Sequence, residues 1–206
     1  MREIQEKTIE TYNKTASNYS DSHFYEHFWI REFNEYRKLV RGNKILDIAC
    51  GAGRDATMFL KNNFDYMGID ASEKMLKIAS KRVPKGKFKL MDFFKLDFLD
   101  NTFDGFWAAA SFLHLPKKNI REALIEARRV LRPGGIGFIT LKKKRRIDEG
   151  WIKEDKFGGI ARYFAFYNQG EFARILKESG FNVIKSRIFL ENDAKQTKWL
   201  CYFVEK

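Results

Sequence analysis

The feature that most constrains this chain is a regular alternation of apolar strands with amphipathic helices. The alternation begins after Gly42 with the strand "KILDIA" and the helix "GRDATMFLKNN", and it continues with "FDYMGID" and "SEKMLKIASKRV". Buried strands that alternate with helices predict a parallel sheet whose two faces are both covered by helices. We therefore predict an α/β fold.

The second half of the chain extends this pattern and changes it at the end. We predict strands at "KFKLMD", "FDGFWAAA" and "IGFITLK", with the helix "KKNIREALIEARRVL" before the last of them. A polar segment, "KKRRIDEGWIKEDKFGG", leads to the helix "NQGEFARILKESG". The final strands, "FNVIKSRIFLE" and "TKWLCYFVE", are too close in sequence for a right-handed crossover. They are predicted to form an antiparallel hairpin at one edge of the sheet.

The first part of the chain has a helical period instead. "REIQEKTIETYNKTASNYS" predicts one amphipathic helix, and "FYEHFWIREFNEYRKLV" predicts a second helix that is rich in aromatic residues. We expect residues 1–42 to form a helical cap and residues 43–206 to form a single ligand-binding domain.

Composition limits the class of protein. The chain has 206 residues, of which 44% are hydrophobic, and this suits one core. No apolar run approaches the ~18 residues of a membrane span. The charged start carries no secretory signal, so Cys50 and Cys201 are expected to be free thiols and the location cytoplasmic. The net charge of +12 fits either an anionic partner such as RNA or a lysine-rich, soluble surface.

The turn "GAGRDA" after the first strand is the main candidate for ligand binding. Gly51, Gly53 and Ala56 fit the G-x-G-x-x-A pattern of dinucleotide-binding proteins, so an NAD-dependent oxidoreductase is one hypothesis. Asp47 argues against it, because a carboxylate beside the turn would repel a pyrophosphate. A carboxylate suits a cation, and S-adenosylmethionine carries both an ammonium and a sulfonium group.

Two further acids end the next strands. Asp70 lies nineteen residues after Gly51, where a carboxylate can accept ribose hydroxyls. Asp92 ends the third strand and is a candidate for the adenine amino group, with Phe93 beside the ring. A helix cap or a solvated turn explains any one of these acids, but three at successive strand ends favour a ligand site.

At this point the sequence resembles a family. "ILDIACGAGRDA", "GIDASEKMLKIA", "MDFFKLDFLDNTFDGFWAAASFLHL" and "EARRVLRPGGIGFITL" resemble the class I S-adenosylmethionine-dependent methyltransferases in order and spacing, over nearly the whole chain. The resemblance implies a Rossmann-like three-layer sandwich. Its seven-stranded, mostly parallel sheet would have the order 3-2-1-4-5-7-6, with strand seven antiparallel.

The resemblance also implies which residues contact the donor. The positions that match the family's methionine-binding and adenosine-binding residues, with a backbone wall after strand four, are Asp47, Ala49, Gly51, Gly53, Asp70, Ala71, Met75, Asp92, Phe93 and Ala109. Ala49 departs from the family, which usually has glycine there. Because alanine disfavours a positive φ, we expect Ala49 to be extended.

On the acceptor side, His114 follows strand four and is a candidate general base, with a structural role as the alternative. Tyr12 and Tyr19 match a segment that folds over the donor in many small-molecule methyltransferases, although plain helix packing also explains them. "KKKRR" at 142–146, with Lys117 and Lys118, forms either a basic rim for an anionic acceptor or a solvated loop.

The sequence thus predicts a methyltransferase that acts on an O, N or S atom of a small molecule and uses S-adenosylmethionine. The region of Arg162 and Tyr163 is similar to tRNA wobble-uridine methyltransferases, so tRNA is the alternative acceptor. A noncatalytic module that binds the donor or RNA is a further alternative.

"HFYEH" at His23–His27 matches the H-x-x-E-H pattern of zinc proteases. No third zinc ligand is evident in the sequence, and we expect no metal.

Overall fold

A seven-stranded sheet with helices on both faces carries the fold. The structure is a computed structural model that describes residues 2–23, 28–144, 146–153, 159–191 and 196–206. Its helices are α1 (Arg2–His23), α2 (Ile30–Leu39), α3 (Ala56–Lys61), α4 (Glu73–Arg82), α5 (Ile120–Val130) and α6 (Gln169–Glu178). Its strands are β1 (Lys44–Ile48), β2 (Asp65–Asp70), β3 (Lys87–Leu90), β4 (Phe103–Ala108), β5 (Leu131–Lys142), β6 (Glu149–Lys153), β7 (Ala161–Ala165), β8 (Asn182–Leu190) and β9 (Lys198–Glu205).

The strand order confirms the predicted topology. The main sheet runs β3-β2-β1-β4-β5-β9-β8, in which β9 is antiparallel to both β5 and β8. Counted within this sheet, β8 and β9 are its sixth and seventh strands, so the order is 3-2-1-4-5-7-6. The chain moves outward from β1 through β2 to β3, and then outward in the other direction from β4 to β5. Right-handed crossovers therefore place α3 and α4 on one face and α5 on the other.

The core lies between the sheet and these helices, and aromatic rings dominate it. Trp107 of β4 and Phe138 of β5 stack with ring centroids 4.0 Å apart. On one face, α2 contributes the buried Phe33 and Tyr36, and Trp29, directly before the helix, is buried with them. The Phe33 and Phe59 rings meet edge to face at 5.0 Å. Helix α2 is therefore part of the core, whereas α1 is not.

Helix α1 packs against α4 and β7, and a separate, smaller cluster lies between α1 and α4. The cluster consists of Ala16, Ala52 and Met75, with Tyr12, Tyr19 and Ile78 beside it. The other buried side chains of α1 are short hydroxyls, namely Thr8, Thr11, Thr15 and Ser20. Little apolar surface thus holds α1 in place.

One structural unit was not predicted: its first strand, β6, lies in the segment that the sequence indicates only as polar, and its second strand, β7, follows that segment. Strands β6 and β7 form a two-stranded antiparallel sheet, with Trp151 opposite Tyr163. The Tyr167–Lys143 bridge connects the end of this hairpin to the end of β5.

The other predicted helices and strands are present, but β5 begins at Leu131 and not at Ile136, and α3 is shorter than predicted, at Ala56–Lys61. The Ser72 side chain caps α4 by accepting a hydrogen bond from the Met75 amide at 3.2 Å. The division into a cap (1–42) and a domain (43–206) stays a prediction. Within the described residues, no helix has both the length and the apolar character of a membrane span.

Candidate active site

A partly enclosed cavity lies at the carboxyl ends of β1, β2 and β4, with α1 across it. Its volume is about 120 Å³, enough for several water molecules, so it is more than a packing defect. Ten of the residues predicted from the sequence line it: Tyr19, Asp47, Ala49, Gly51, Asp70, Ala71, Met75, Phe93, Ala109 and His114. The expected location, at the strand ends of an open α/β sheet, therefore agrees with the structure.

Two predicted residues, Gly53 and Asp92, are not part of this cavity wall. A Cβ added at Gly53 would lie 3.2 Å from the Ala79 Cβ, so this glycine allows the turn to pack closely on α4. The Asp92 carboxylate accepts a hydrogen bond from the Phe94 amide at 2.8 Å and faces a neighbouring groove. Donor contacts by Gly53 and Asp92 stay predictions.

Ala49 corrects one expectation: its φ is +58°, in the left-handed region, and not extended. Ala110, at the end of β4, has a φ of +57°. Both alanines line the cavity. Left-handed backbone costs a residue with a Cβ about 1–2 kcal/mol, and such strain often accompanies functional sites. The turn after β1 therefore has the backbone that the usual glycine would give, despite the alanine.

The glycine turn itself is open to the cavity. Gly51 has a φ of +55°, and a Cβ added there would meet no atom of the described residues within 4 Å. A side chain at this position would project into space that a ligand can use. The Gly51 amide donates a hydrogen bond to the Asp70 carboxylate at 2.9 Å, which connects the ends of β1 and β2.

Three carboxylates and one guanidinium face the cavity. Asp47 accepts a hydrogen bond from the Tyr66 hydroxyl at 2.7 Å, and Asp70 also accepts one from the Ser72 amide at 2.8 Å. Asp55 forms a bidentate ion pair with Arg54, with N–O distances of 2.7 and 2.9 Å. Sequence analysis missed this pair, although both charges stand inside the turn "GAGRDA".

Burial makes these carboxylates favour a cation. Desolvation, reinforced by the charge of Asp55, raises the pKa of Asp47 well above its ordinary value. Desolvation also raises the pKa of Asp70, against the effect of its backbone hydrogen bonds. A positively charged ligand would offset both penalties, because an opposite charge within a few ångströms favours the ionised carboxylate.

His114 has both ring nitrogens in hydrogen bonds. Its Nδ1 lies 2.7 Å from the Tyr163 carbonyl oxygen, and its Nε2 lies 2.8 Å from the Tyr12 hydroxyl. Burial, and then the charge of Arg162, lowers the pKa of His114 to about 3. This geometry gives a neutral imidazole with no free lone pair, which disfavours the general-base role; that role stays a prediction.

Two of the basic rim residues, Lys117 and Lys144, form ion pairs with acidic neighbours. Lys117 forms ion pairs with Asp148 at 3.1 Å and with Glu171 at 2.6 Å, and Lys144 forms one with Asp148 at 2.8 Å. Arg145 lies outside the described residues. Residues 24–27 of the zinc-protease pattern also lie outside them, and no metal-ligating cluster occurs among the residues that the structure describes.

The fold and the site together define a Rossmann-like protein with a cavity at the carboxyl ends of its strands. A family model described as a methyltransferase domain matches residues 45–135. The demethylmenaquinone methyltransferase of Symbiobacterium thermophilum is 34% identical over 158 residues, which cover 70% of this chain and 59% of that protein. The enzyme of the same name from Thermotoga maritima is 36% identical, over 52% of this chain and 47% of its own.

The fold has close solved counterparts. The 1,6-didemethyltoxoflavin-N1-methyltransferase of Burkholderia thailandensis, with bound 1,6-didemethyltoxoflavin and S-adenosylhomocysteine, aligns with a TM-score of 0.74. The alignment covers 96% of this chain and 87% of that one at 17% identity. The chain belongs to the class I S-adenosylmethionine-dependent methyltransferases. It spans about half the length of the curated relatives that it matches.

Proposed function

We propose that this protein transfers a methyl group from S-adenosylmethionine to a small-molecule acceptor. The observation that carries the proposal is a set of three carboxylates that face one cavity together with Arg54: Asp47 and Asp55 are buried, and Asp70 is partly buried. This excess of negative charge suits the cationic donor and disfavours the pyrophosphate of NAD. The relatives and the shared fold support the same donor.

Different cavity residues would contact different parts of the donor. We assign the ammonium group to Asp47 and the ribose hydroxyls to Asp70, whose carboxylate has lone pairs beyond the two that accept backbone amides. Gly51 allows the ligand to approach the backbone. Ala71, Met75 and Phe93 provide the apolar wall for the adenosine, and Ala109 closes the cavity after β4.

The donor, when bound, supplies a methyl group that its sulfonium has already activated. The residues of this chain contribute alignment of the acceptor and exclusion of water, rather than covalent chemistry. Helix α1 covers the cavity, so water is displaced from it when the ligand binds. The acceptor heteroatom, O, N or S, would attack the methyl carbon in line from the side of Tyr12 and His114, while the carbon–sulfur bond breaks and S-adenosylhomocysteine leaves.

A small molecule is the better-supported acceptor. The two demethylmenaquinone methyltransferases are named for a small-molecule acceptor, and so is the toxoflavin enzyme. None of these relatives is named for a tRNA acceptor, and two of the rim cations, Lys117 and Lys144, are engaged with Asp148 and Glu171. The tRNA alternative therefore has less support.

Isothermal titration calorimetry tests the donor site. We expect binding of S-adenosylmethionine and no heat with NAD, and we expect Asp70→Ala to abolish donor binding. The control is Asp65→Ala, which removes the exposed carboxylate at the other end of the same strand and should leave the affinity unchanged. Near-normal affinity of Asp70→Ala would show that the ribose assignment is wrong.

The acceptor is tested with methyl-labelled donor and cell extract. We expect label in a small-molecule fraction whether or not the extract has been treated with ribonuclease. Loss of the labelled product after ribonuclease treatment would replace the small molecule with RNA as the acceptor.

A further inference from the structure

A chain of hydrogen bonds crosses from β7 to α1 and on to the turn after β4. The Arg162 guanidinium donates to the Tyr12 hydroxyl oxygen at 2.9 Å. That hydroxyl lies 2.8 Å from the His114 Nε2, and the His114 Nδ1 lies 2.7 Å from the Tyr163 carbonyl oxygen. Three elements that are distant in sequence therefore meet at one phenolic oxygen.

The chemistry of the partners fixes the direction of every bond. A carbonyl oxygen can only accept, so the Nδ1 of His114 carries the hydrogen and its Nε2 has the lone pair. The Tyr12 hydroxyl must therefore donate to Nε2 while its oxygen accepts from Arg162. Burial raises the pKa of Tyr12, so the phenol keeps its proton.

Aromatic contacts reinforce the same group. The Tyr12 ring meets the His114 ring at 5.4 Å and the Tyr19 ring at 5.5 Å, both edge to face. The guanidinium carbon of Arg162 lies 5.6 Å from the Tyr12 ring centroid and 5.1 Å from that of Phe164. A cation beside aromatic faces is held more firmly than one in solvent.

This group matters because α1 has few other anchors over the cavity. Its buried surface consists of Ala16 and short hydroxyl side chains, and its apolar cluster is separate from the main core. On the α4 side, the Asn13 amide oxygen accepts from the Ser72 hydroxyl at 2.7 Å. On the β7 side, the Thr11 hydroxyl donates to the Ala161 carbonyl at 3.3 Å, next to Tyr12. Polar contacts therefore decide how long α1 stays closed.

We infer that Tyr12, His114 and Arg162 are positioning residues that together hold α1 closed, as a lid, over the bound donor. The inference rests on the proposed function, because it requires the donor in this cavity. His114 serves as a hydrogen-bond acceptor for Tyr12 and not as a proton carrier. Arg162 connects the β6–β7 hairpin to the lid, so the two walls of the acceptor side close together.

The test measures how fast the donor leaves. Wild-type protein is loaded with labelled S-adenosylmethionine, excess unlabelled S-adenosylhomocysteine is added, and the retained label is followed over time. We expect Tyr12→Phe to release the donor about tenfold faster, because the hydroxyl that bonds to both His114 and Arg162 is lost; a tenfold change corresponds to about 1.4 kcal/mol. The control is Tyr163→Phe, which removes a hydroxyl from the β6–β7 hairpin but leaves the backbone carbonyl that His114 uses, so its release rate should stay at the wild-type value.

Two substitutions of His114 separate positioning from proton transfer. Glutamine can accept from Tyr12 and donate to the Tyr163 carbonyl but cannot carry a proton, whereas alanine can do neither. We expect His114→Gln to keep the slow release and the kcat for methyl transfer, and His114→Ala to release the donor as fast as Tyr12→Phe. Loss of kcat in His114→Gln with slow release retained would restore the general-base role and overturn the inference.

The remaining outcomes are equally distinct. A Tyr12→Phe protein that folds normally and releases the donor at the wild-type rate overturns the inference but leaves the donor site intact. A wild-type protein that binds neither S-adenosylmethionine nor S-adenosylhomocysteine overturns the proposed donor site, and with it the inference.

Discussion

The φ angle of Ala49 could not be predicted from the residue type alone. Alanine is common in extended and helical backbone, so its presence where the family has glycine suggested an ordinary strand end. The backbone nevertheless turns, because the Cys50 amide bonds to the Ile69 carbonyl at 2.9 Å and the Gly53 amide bonds to the Cys50 carbonyl at 3.1 Å. These hydrogen bonds fix the turn and hold Ala49 at a strained, positive φ.

Relieving that strain should stabilise the protein. We expect Ala49→Gly to raise the free energy of unfolding by about 1 kcal/mol, because glycine adopts a positive φ without steric cost. Chemical denaturation of the two proteins measures the difference. Ala52→Gly is the control: Ala52 has no positive φ, so the same change should lower stability. Destabilisation by Ala49→Gly would contradict the strain argument.

His114 gives a pH dependence whose sign follows from its lowered pKa. The pKa of His114 is about 3 in the folded protein, and its ordinary value is 6.5. Below pH 6.5 the imidazole therefore binds a proton in the unfolded chain but not in the folded protein. This contribution to stability is complete above pH 6.5 and is lost as the pH falls toward 3.

A comparison with His114→Gln isolates the effect, since the buried aspartates are the same in both proteins. Between pH 6 and pH 5 the free energy of unfolding should fall by about 1 kcal/mol more in the wild type than in the variant. Parallel behaviour of the two proteins in urea titrations at these pH values would mean that the folded imidazole titrates normally.

At the scale of elements, the β6–β7 hairpin is what sequence reasoning missed. Residues on β6 alternate between exposed and half-buried, and charged residues surround them, so the segment has the composition of a loop. Its strands form because they pair with each other and because β7 packs against α1 and the turn after β4. Such tertiary support leaves little trace in local composition.

The two N-terminal helices are expected to differ in local stability. Helix α2 inserts Phe33 and Tyr36 into the core, whereas α1 lies across the cavity. Amides of α1 should therefore exchange with deuterium much faster than those of α2, and S-adenosylhomocysteine should slow exchange in α1 alone. Equal protection of both helices without ligand would contradict this difference.

At the scale of the whole molecule, the resemblance of the sequence to its family predicted the sheet order and most of the residues that line the cavity. Periodicity identifies buried strands, and the short connection between the last two strands forces the antiparallel edge. The wall follows because strand ends in such a sheet meet at one place. The roles of Asp55, Arg54 and Arg162 could not be predicted in this way, since they depend on side chains from separate elements that come together only in three dimensions.

Part of the net positive charge lies at the C-terminal ends of the helices. Every helix from α2 to α6 has a basic residue in its last turn, where a cation offsets the partial negative charge of the helix end. Helices in this architecture run antiparallel to the parallel strands. These cations therefore lie at the amino ends of the strands, on the side of the sheet opposite the cavity. Much of the charge that suggested an anionic partner thus has a structural explanation.

Charge reversal at this edge tests that explanation. We expect Lys38→Glu combined with Lys61→Glu to lower stability by about 1 kcal/mol and to leave the donor affinity unchanged. Lys118→Glu, which removes the same kind of charge just before the start of α5, should not destabilise, because an acid is favourable there. Thermal denaturation and calorimetry measure the two effects, and a weakened donor affinity in the double variant would contradict the assignment.

The two buried cysteines differ in what must move before a reagent can reach them. Cys50 borders the cavity beneath α1, whereas Cys201 is enclosed in the centre of β9. A small alkylating reagent can reach Cys50 whenever the helix lifts, but it can reach Cys201 only when the sheet itself comes apart. The ratio of the two labelling rates would therefore time the opening of the lid against global unfolding, with no foreign probe attached.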